Sequence, residues 1–417
     1  MKSSFAKHSL LLFAALRVGD IVSLAAGLWF VPKFVSPEEI GALLPVTSFS
    51  TFLSLPLFAL AMTAMKESSA LSAAGERAKV KALLSGVFVS VAIMLVTGLA
   101  VAALVTPHFI AAMGFTSSMA GFLAVAAAFL GCTAPVYTDA LQSLKRFRAL
   151  GIMEAGGALV RFAVMVAVMP FRALAGYFAG AASLPAFRIL FGIFALRKDL
   201  SIRAEPYWTP QTVRRFTLAF IAILAYQAAP MFTSLVEQSV LRTALSAADS
   251  AGYYMASRFS DLLYCATTPL LLVVFPYTAY TAHNGGNTHP YLFKCCAATL
   301  ATATAMAGIY AIFGRQLITL MPNGSDYLEY ARHMPLLVMI TALTSCQVFY
   351  TNIEVSAGRF GFLSWIIPLH VAYPVLLLTF LPKDLPTMLT WFAAASLLRF
   401  AFTTIDVYFR SEKRHVA

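Results

Sequence analysis

Long apolar stretches alternate with short polar connections along this chain. The first half holds Ser9–Pro32, Ile40–Met65, Leu83–Val105, Ala120–Ala140, Gly151–Pro170 and Ala173–Leu196. The second half holds Phe216–Val240, Gly252–Tyr280, Leu292–Phe313, Met334–Ile353, Gly361–Leu381 and Leu385–Tyr408. A bilayer core takes roughly 20 mainly apolar residues in helical form, because lipid offers no partner for backbone N–H and C=O groups. The pattern therefore predicts an all-α integral membrane protein with about 12 transmembrane helices. The fourth span is the weakest, with Pro135 near its end. The first run is too long for a signal-peptide core and contains Arg17 and Asp20, so it is expected to remain as a span. The connections are short, and the longest, about Arg197 to Arg215, joins the two halves.

The halves repeat. VYTDALQSLKRF (Val136 to Phe147) returns as FYTNIEVSAGRF (Phe349 to Phe360), about 213 residues later. Tyr137, Thr138, Ser143, Arg146 and Phe147 match Tyr350, Thr351, Ser356, Arg359 and Phe360. Ala181 to Leu184 recurs as Ala394 to Leu397 at the same offset, and SPEEIG at Ser36 lines up with AADSAG at Ala247. One shared offset over most of the chain implies duplication of a six-helix unit, as in transporters built from two like halves. The expected organisation is an N-lobe over 1–198, a linker over 199–213, a C-lobe over 214–410 and a tail over 411–417.

Composition agrees with a membrane protein: 60% of residues are hydrophobic, 12% charged, and mean hydropathy is +0.78. A soluble domain carries about a quarter charged residues. Lysine and arginine collect in alternate connections, among them Lys79, Lys81, Lys145, Arg148, Arg203, Arg214 and Lys413. The alternate sets hold about 19 and 6 cations, which places the richer set and both termini in the cytoplasm. The net charge of +12 then follows from topology and calls for no nucleic acid. The five cysteines sit in or beside apolar spans with no metal-ligand spacing and no disulfide framework, so neither a metal nor a cofactor is expected. Asn323-Gly324-Ser325 fits a glycosylation sequon, a three-residue match of little weight.

Ionisable side chains inside spans are costly unless they meet a partner or water. Arg17 and Asp20 lie on one face of span one, and Arg258 and Asp261 repeat that spacing in span eight. Arg161, Arg188 and Arg399 lack a carboxylate three or four residues away. His370 and Asp406 lie in spans eleven and twelve. Two readings stay open: ion pairs that fix helix packing, or a polar cavity with surplus guanidinium suited to an anion such as pyrophosphate. On the second, Arg17, Arg161, Arg258 and Arg399 are substrate ligands, while Asp20 and Asp261 serve ion coupling or ion pairing. For Arg188 the alternative is snorkelling toward the interface. Prolines 45, 56, 185, 269, 276, 368 and 374 are expected to kink spans two, six, eight and eleven. Tyrosines 253, 254, 264, 277 and 280 cluster along span eight, where core packing or interfacial anchoring outweighs sugar stacking.

The two-by-six array resembles the multidrug/oligosaccharidyl-lipid/polysaccharide (MOP) exporter superfamily, whose drug exporters are the MATE transporters. An acidic residue followed by Gly opens spans two and eight (Glu38-Glu39-Ile40-Gly41 and Asp249-Ser250-Ala251-Gly252), which is similar to its pattern. So is the polar loop Ala74-Gly75-Glu76-Arg77-Ala78-Lys79. Within the superfamily the chain is most similar to the polysaccharide flippase (Wzx-like) branch; related lipid II flippases usually have two more spans. The resemblance covers nearly the whole chain and rests on layout and diffuse motifs. It implies MATE-like lobes around a central cavity, alternating access and ion-gradient drive.

The leading expectation is a flippase in the bacterial inner membrane, moving polyprenyl-pyrophosphate-linked oligosaccharide, the repeat unit of O-antigen, capsule or exopolysaccharide. Its partners would be the lipid-linked glycan, membrane lipid, H+ or Na+, and neighbouring polysaccharide polymerase or glycosyltransferases. The alternative is a drug or cation antiporter of the same superfamily, with Asp20 as a proton or sodium site. A membrane glycan polymerase or ligase ranks lower, because the short outer loops hold no catalytic set and no enzyme activity is expected. A major facilitator transporter ranks lower still, because the loop Lys66–Lys81 lacks that group's short Gly-Asp-Arg-like core.

Overall fold

The computed structural model describes residues 17–112, 117–143, 146–200, 207–265, 267, 274, 278, 281 and 286–415. Among these every regular element is helical. The first, α1, covers residues 17–34 and passes through a π-helical turn at Ala26–Phe30. Then come α2 (Pro37–Leu53), α3 (Leu55–Ala73), α4 (Arg77–Ala112), α5 (Ser118–Ser143), α6 (Phe147–Val168) and α7 (Ala173–Leu200). The second half has α8 (Pro210–Ala244), α9 (Ala247–Ser260), α10 (His289–Thr319), α11 (Met334–Ser356), α12 (Leu363–Phe380) and α13 (Leu385–His415). A 3-10 segment, Gly324–His333, leads into α11.

Among the described residues, 9 helices are long and apolar enough to cross a membrane, and α2 with α3, bent by 57°, counts as a tenth if the pair is one span. These ten fall on ten of the apolar runs. Runs one and eight lie partly outside the described residues, at 9–16 and through most of 266–280. The chain is a multi-pass membrane protein.

The bend between α2 and α3 has a local cause. Pro56 has no N–H to give to the turn before it, and its ring crowds the carbonyl four residues back. Ser54 fills the break, its Oγ donating to the Thr51 carbonyl at 2.9 Å. At the other described prolines the helices do not break. Helices continue through Pro45, Pro135, Pro185, Pro368 and Pro374, so span four is intact and proline alone does not break spans six and eleven. Membrane helices tolerate proline where neighbouring groups re-satisfy the backbone. Prolines 269 and 276 lie outside the described residues.

The repeat is visible in backbone geometry. Arg146 N–H donates to the Leu141 carbonyl at 2.9 Å, and Arg359 N–H donates to the Glu354 carbonyl at 2.8 Å. These are matched positions, and both bonds close a helix end in the manner of a Schellman turn. Tyr137 and Tyr350, matched one turn earlier, are both buried.

The chain forms two compact units. One holds the described residues of 17–26 and 42–235, and the other those of 27–41 and 236–415. These borders run through α1 and α8, whereas the sequence repeat places each of those helices wholly in one half. In the first unit Leu57, Leu83, Phe129, Leu141, Met153 and Leu196 form part of one continuous core. There α5 packs against α7, and Gly192 brings α7 so close to Tyr137 that an added Cβ would lie 2.6 Å from it. In the second unit Met255, Val338, Phe349, Tyr350, Phe362 and Met388 are buried.

The Asp-then-Gly opening of span eight also has a structural reading. Ser246 Oγ accepts the Asp249 N–H at 3.0 Å and caps α9. Asp249 Oδ1 accepts the Tyr330 hydroxyl at 3.1 Å, while the Tyr330 ring lies on Gly252, where a Cβ would meet it at 2.3 Å. Acid and glycine together seat one tyrosine of the 3-10 segment.

Candidate functional site

In the first unit, Arg17, Asp20 and Ser23 follow at three-residue steps on α1 and share a face. Arg17 Nη1 donates to Asp20 Oδ2 at 2.7 Å, with both side chains about a third exposed or less. Arg161, from the middle of α6, donates through Nη1 to Ser23 Oγ at 2.9 Å. Two guanidiniums and one carboxylate thus stand along one strip between α1 and α6. Among the described residues no carboxylate pairs with Arg161. Its Nε is buried without a hydrogen-bond partner.

Arg188 does not snorkel. From α7 it forms an ion pair with Glu154 of α6, a buried carboxylate. Gly157, one turn beyond Glu154, lets α6 come close to the Leu184 carbonyl of α7, which an added Cβ would meet at 3.3 Å.

In the second unit, Arg258 Nη1 pairs with Asp261 Oδ2 at 3.0 Å. The Arg258 guanidinium sits over the Tyr254 ring at 4.7 Å, and its stem crosses Gly27 of α1. Arg399 is buried. Its Nε donates to the Ala395 carbonyl at 3.1 Å, and its Nη2 donates to Ser396 Oγ at 3.4 Å. Its nearest carboxylate is Glu237 of α8, at 3.9 Å. Buried Tyr253 lies within electrostatic reach of Glu237, Asp261 and Arg258. His370 and Gln347 are hydrogen-bonded at 3.0 Å, and Asp406 accepts the Tyr350 hydroxyl. Tyr254 and Tyr253 pack in the core, the latter edge-on to Phe392, whereas Tyr264 is exposed, and Tyr277 and Tyr280 lie outside the described residues.

Of the six predicted site residues, Arg17, Asp20 and Arg161 come together in the first unit. Arg258 and Asp261 form a pair in the second, and Arg399 belongs there to a separate pairing with Glu237. Sequence reasoning missed Ser23, Glu154 and Glu237. The two glutamates lie three residues inside the ends of runs five and seven, where a carboxylate reads as interfacial. A glutamate in an apolar run facing an unpaired arginine on another run was the available signal.

Neither a family model nor the sequence of a curated protein matches the chain. Solved structures do. A multidrug resistance MATE family transporter of the MOP superfamily, in an inward-facing conformation, aligns at TM-score 0.66 and 13% identity over 97% of this chain and 99% of that one. The lipid II flippase MurJ, in an inward closed conformation, aligns at TM-score 0.63 and 14% identity over 97% of this chain and 87% of that one. The MATE transporter VcmN of Vibrio cholerae aligns at TM-score 0.65 and 12% identity over 98% of each chain. At such identities the likeness is one of fold. The chain has the helical membrane fold shared by MATE transporters and MurJ.

Proposed function

We propose that the chain is an alternating-access transporter of the MOP type that flips polyprenyl-pyrophosphate-linked oligosaccharide across the bacterial inner membrane. The observation that carries this reading is Arg161, a mid-span guanidinium held by the Ser23 hydroxyl beside Arg17 and Asp20. That strip keeps an excess positive charge where a buried arginine is costly, and an anionic substrate would offset the cost. Guanidinium also matches phosphate oxygens in a bidentate way. Arg17, Arg161, Arg258 and Arg399 are the proposed pyrophosphate ligands. Asp20 and Asp261 are the proposed H+ or Na+ coupling or pairing groups. Glycosyltransferases and a polymerase acting on the same glycan are the proposed neighbours.

A second reading is an organic-cation antiporter, and the carboxylates Glu154 and Glu237 favour it, since they make the spans more acidic than sequence spacing suggests. Deletion of the gene in its host separates the two. On the flippase reading, surface glycan is lost and completed lipid-linked glycan accumulates on the cytoplasmic face. Plasmid-borne Arg161→Lys restores surface glycan in part and Arg161→Gln does not, at equal membrane levels. Normal glycan with new sensitivity to lipophilic cations would replace this reading with the antiporter.

A further inference from the structure

The second unit carries a groove between its last two helices. Ala372 of α12 and Ala394 and Ala395 of α13 leave its floor low, and Leu369, Leu376 and Leu398 wall it. Its volume is about 180 Å³. Trp391 lines it toward the α12–α13 turn and stacks on Phe380 with ring centroids 5.5 Å apart. Two turns further along α13, about 12 Å by helical rise, stands Arg399, with its guanidinium 5.7 Å from the Tyr373 ring centroid. The groove is therefore apolar along its length and cationic at one end. Glu237 pairs with that guanidinium at 3.9 Å, so an anion arriving at this end shares the arginine with a carboxylate.

This pairing selects among amphiphiles. An apolar cavity of about 150 Å³ accepts a benzene-sized guest, so the groove holds a short length of one branched chain and has no room for two acyl chains. In a glycerophospholipid, ester and glycerol groups separate the phosphate from the hydrocarbon. In a polyprenyl phosphate the anion sits directly on the first carbon of the chain, which matches a cation set directly at the end of an apolar groove. We propose that the groove between α12 and α13 seats the first isoprene units of a polyprenyl pyrophosphate, with Arg399 on the phosphate side. This rests on the flippase reading and adds to it a seat for the lipid portion of the substrate.

The test uses the full chain in phosphatidylcholine nanodiscs and a photoreactive analogue of farnesyl pyrophosphate. Labelled peptides should come from α12 and α13, and farnesyl pyrophosphate should compete, whereas farnesol and inorganic pyrophosphate at the same concentration should not. Ala394→Phe, which fills the groove, and Arg399→Gln should each lower labelling about tenfold. Ala372→Leu fills the same space from the other helix and serves if Ala394→Phe does not fold. Equal labelling in the filled variants, or competition by farnesol as strong as by the pyrophosphate, would mean annular lipid only and overturn the seat. Saturable labelling confined to other helices would also overturn the seat while leaving the flippase reading standing. Absence of saturable labelling anywhere would overturn both.

Discussion

Glu154 and Arg188 set the residue scale. Each looks isolated along its own helix, and they meet only because α6 and α7 pack against each other. Removing one partner from a buried pair leaves an uncompensated charge and costs about 3 kcal/mol, while replacing both with apolar residues is often neutral. Glu154→Gln alone should therefore lower stability by that order, and Glu154→Leu combined with Arg188→Leu should recover most of the loss. Chemical unfolding of the purified protein in detergent checks this, and equal losses in the single and double variants would remove the pair from the account. The i, i+3 pairs Arg17–Asp20 and Arg258–Asp261 were legible in the sequence, because helical geometry alone brings their members together. Partners on other helices, such as Glu154, Glu237 and Ser23, depend on packing, which spacing does not encode.

At the scale of elements, apolar runs read well because a bilayer dictates their length. Prolines read poorly, because a break depends on whether neighbouring groups supply what the ring removes: the helix breaks beside Pro56 and continues through Pro185. The polar connection ahead of α8 shows the same limit. By sequence it is an extended linker, yet residues 207–216 dock on α3 and α4 within the first unit. Glu67 of α3 is buried, and it accepts Arg215 Nη2 at 2.6 Å and the Tyr207 hydroxyl at 3.1 Å. Burial pushes the Tyr207 phenol up from its ordinary range, so it stays a donor. Trp208 Nε1 donates to the Ala82 carbonyl at 3.2 Å, and its indole lies on Gly86, where a Cβ would come within 2.4 Å of Nε1. Arg215 is more than half exposed, so solvent screening limits its pair with Glu67 to about 1 kcal/mol. Glu67→Gln should accordingly speed hydrogen exchange at 207–212 about fivefold, with little change in α5 or α7. Gly86→Leu displaces the indole and should free the same residues more fully. Unchanged exchange in both variants would show that this segment is held elsewhere.

For the whole molecule, identities of 12 to 14% with MATE transporters and MurJ leave few residues in common, yet nearly the full chain superposes. The apolar pattern and the duplication carry the fold, and they tolerate exchange of almost any single side chain. The same two features predict an orientation that can be measured. The twelve apolar runs predict six crossings in each half, and an even number would return the chain to the side it started from and put matched loops on one face. The matched cations of Arg146 and Arg359 agree with this expectation, as does the excess of lysine and arginine in the connections expected to share a side with both termini. Fusions after Arg148, after Arg359 and at Ala417 should fluoresce when the reporter is green fluorescent protein and be inactive when it is a periplasmic phosphatase. A fusion after Asp326 should give the reverse. If the reporters after Arg148 and Arg359 disagree, each half crosses an odd number of times and the repeat is inverted. The strip of Arg17 and Arg161 and the pair of Arg258 and Asp261 would then belong to repeats that cross the membrane in opposite senses.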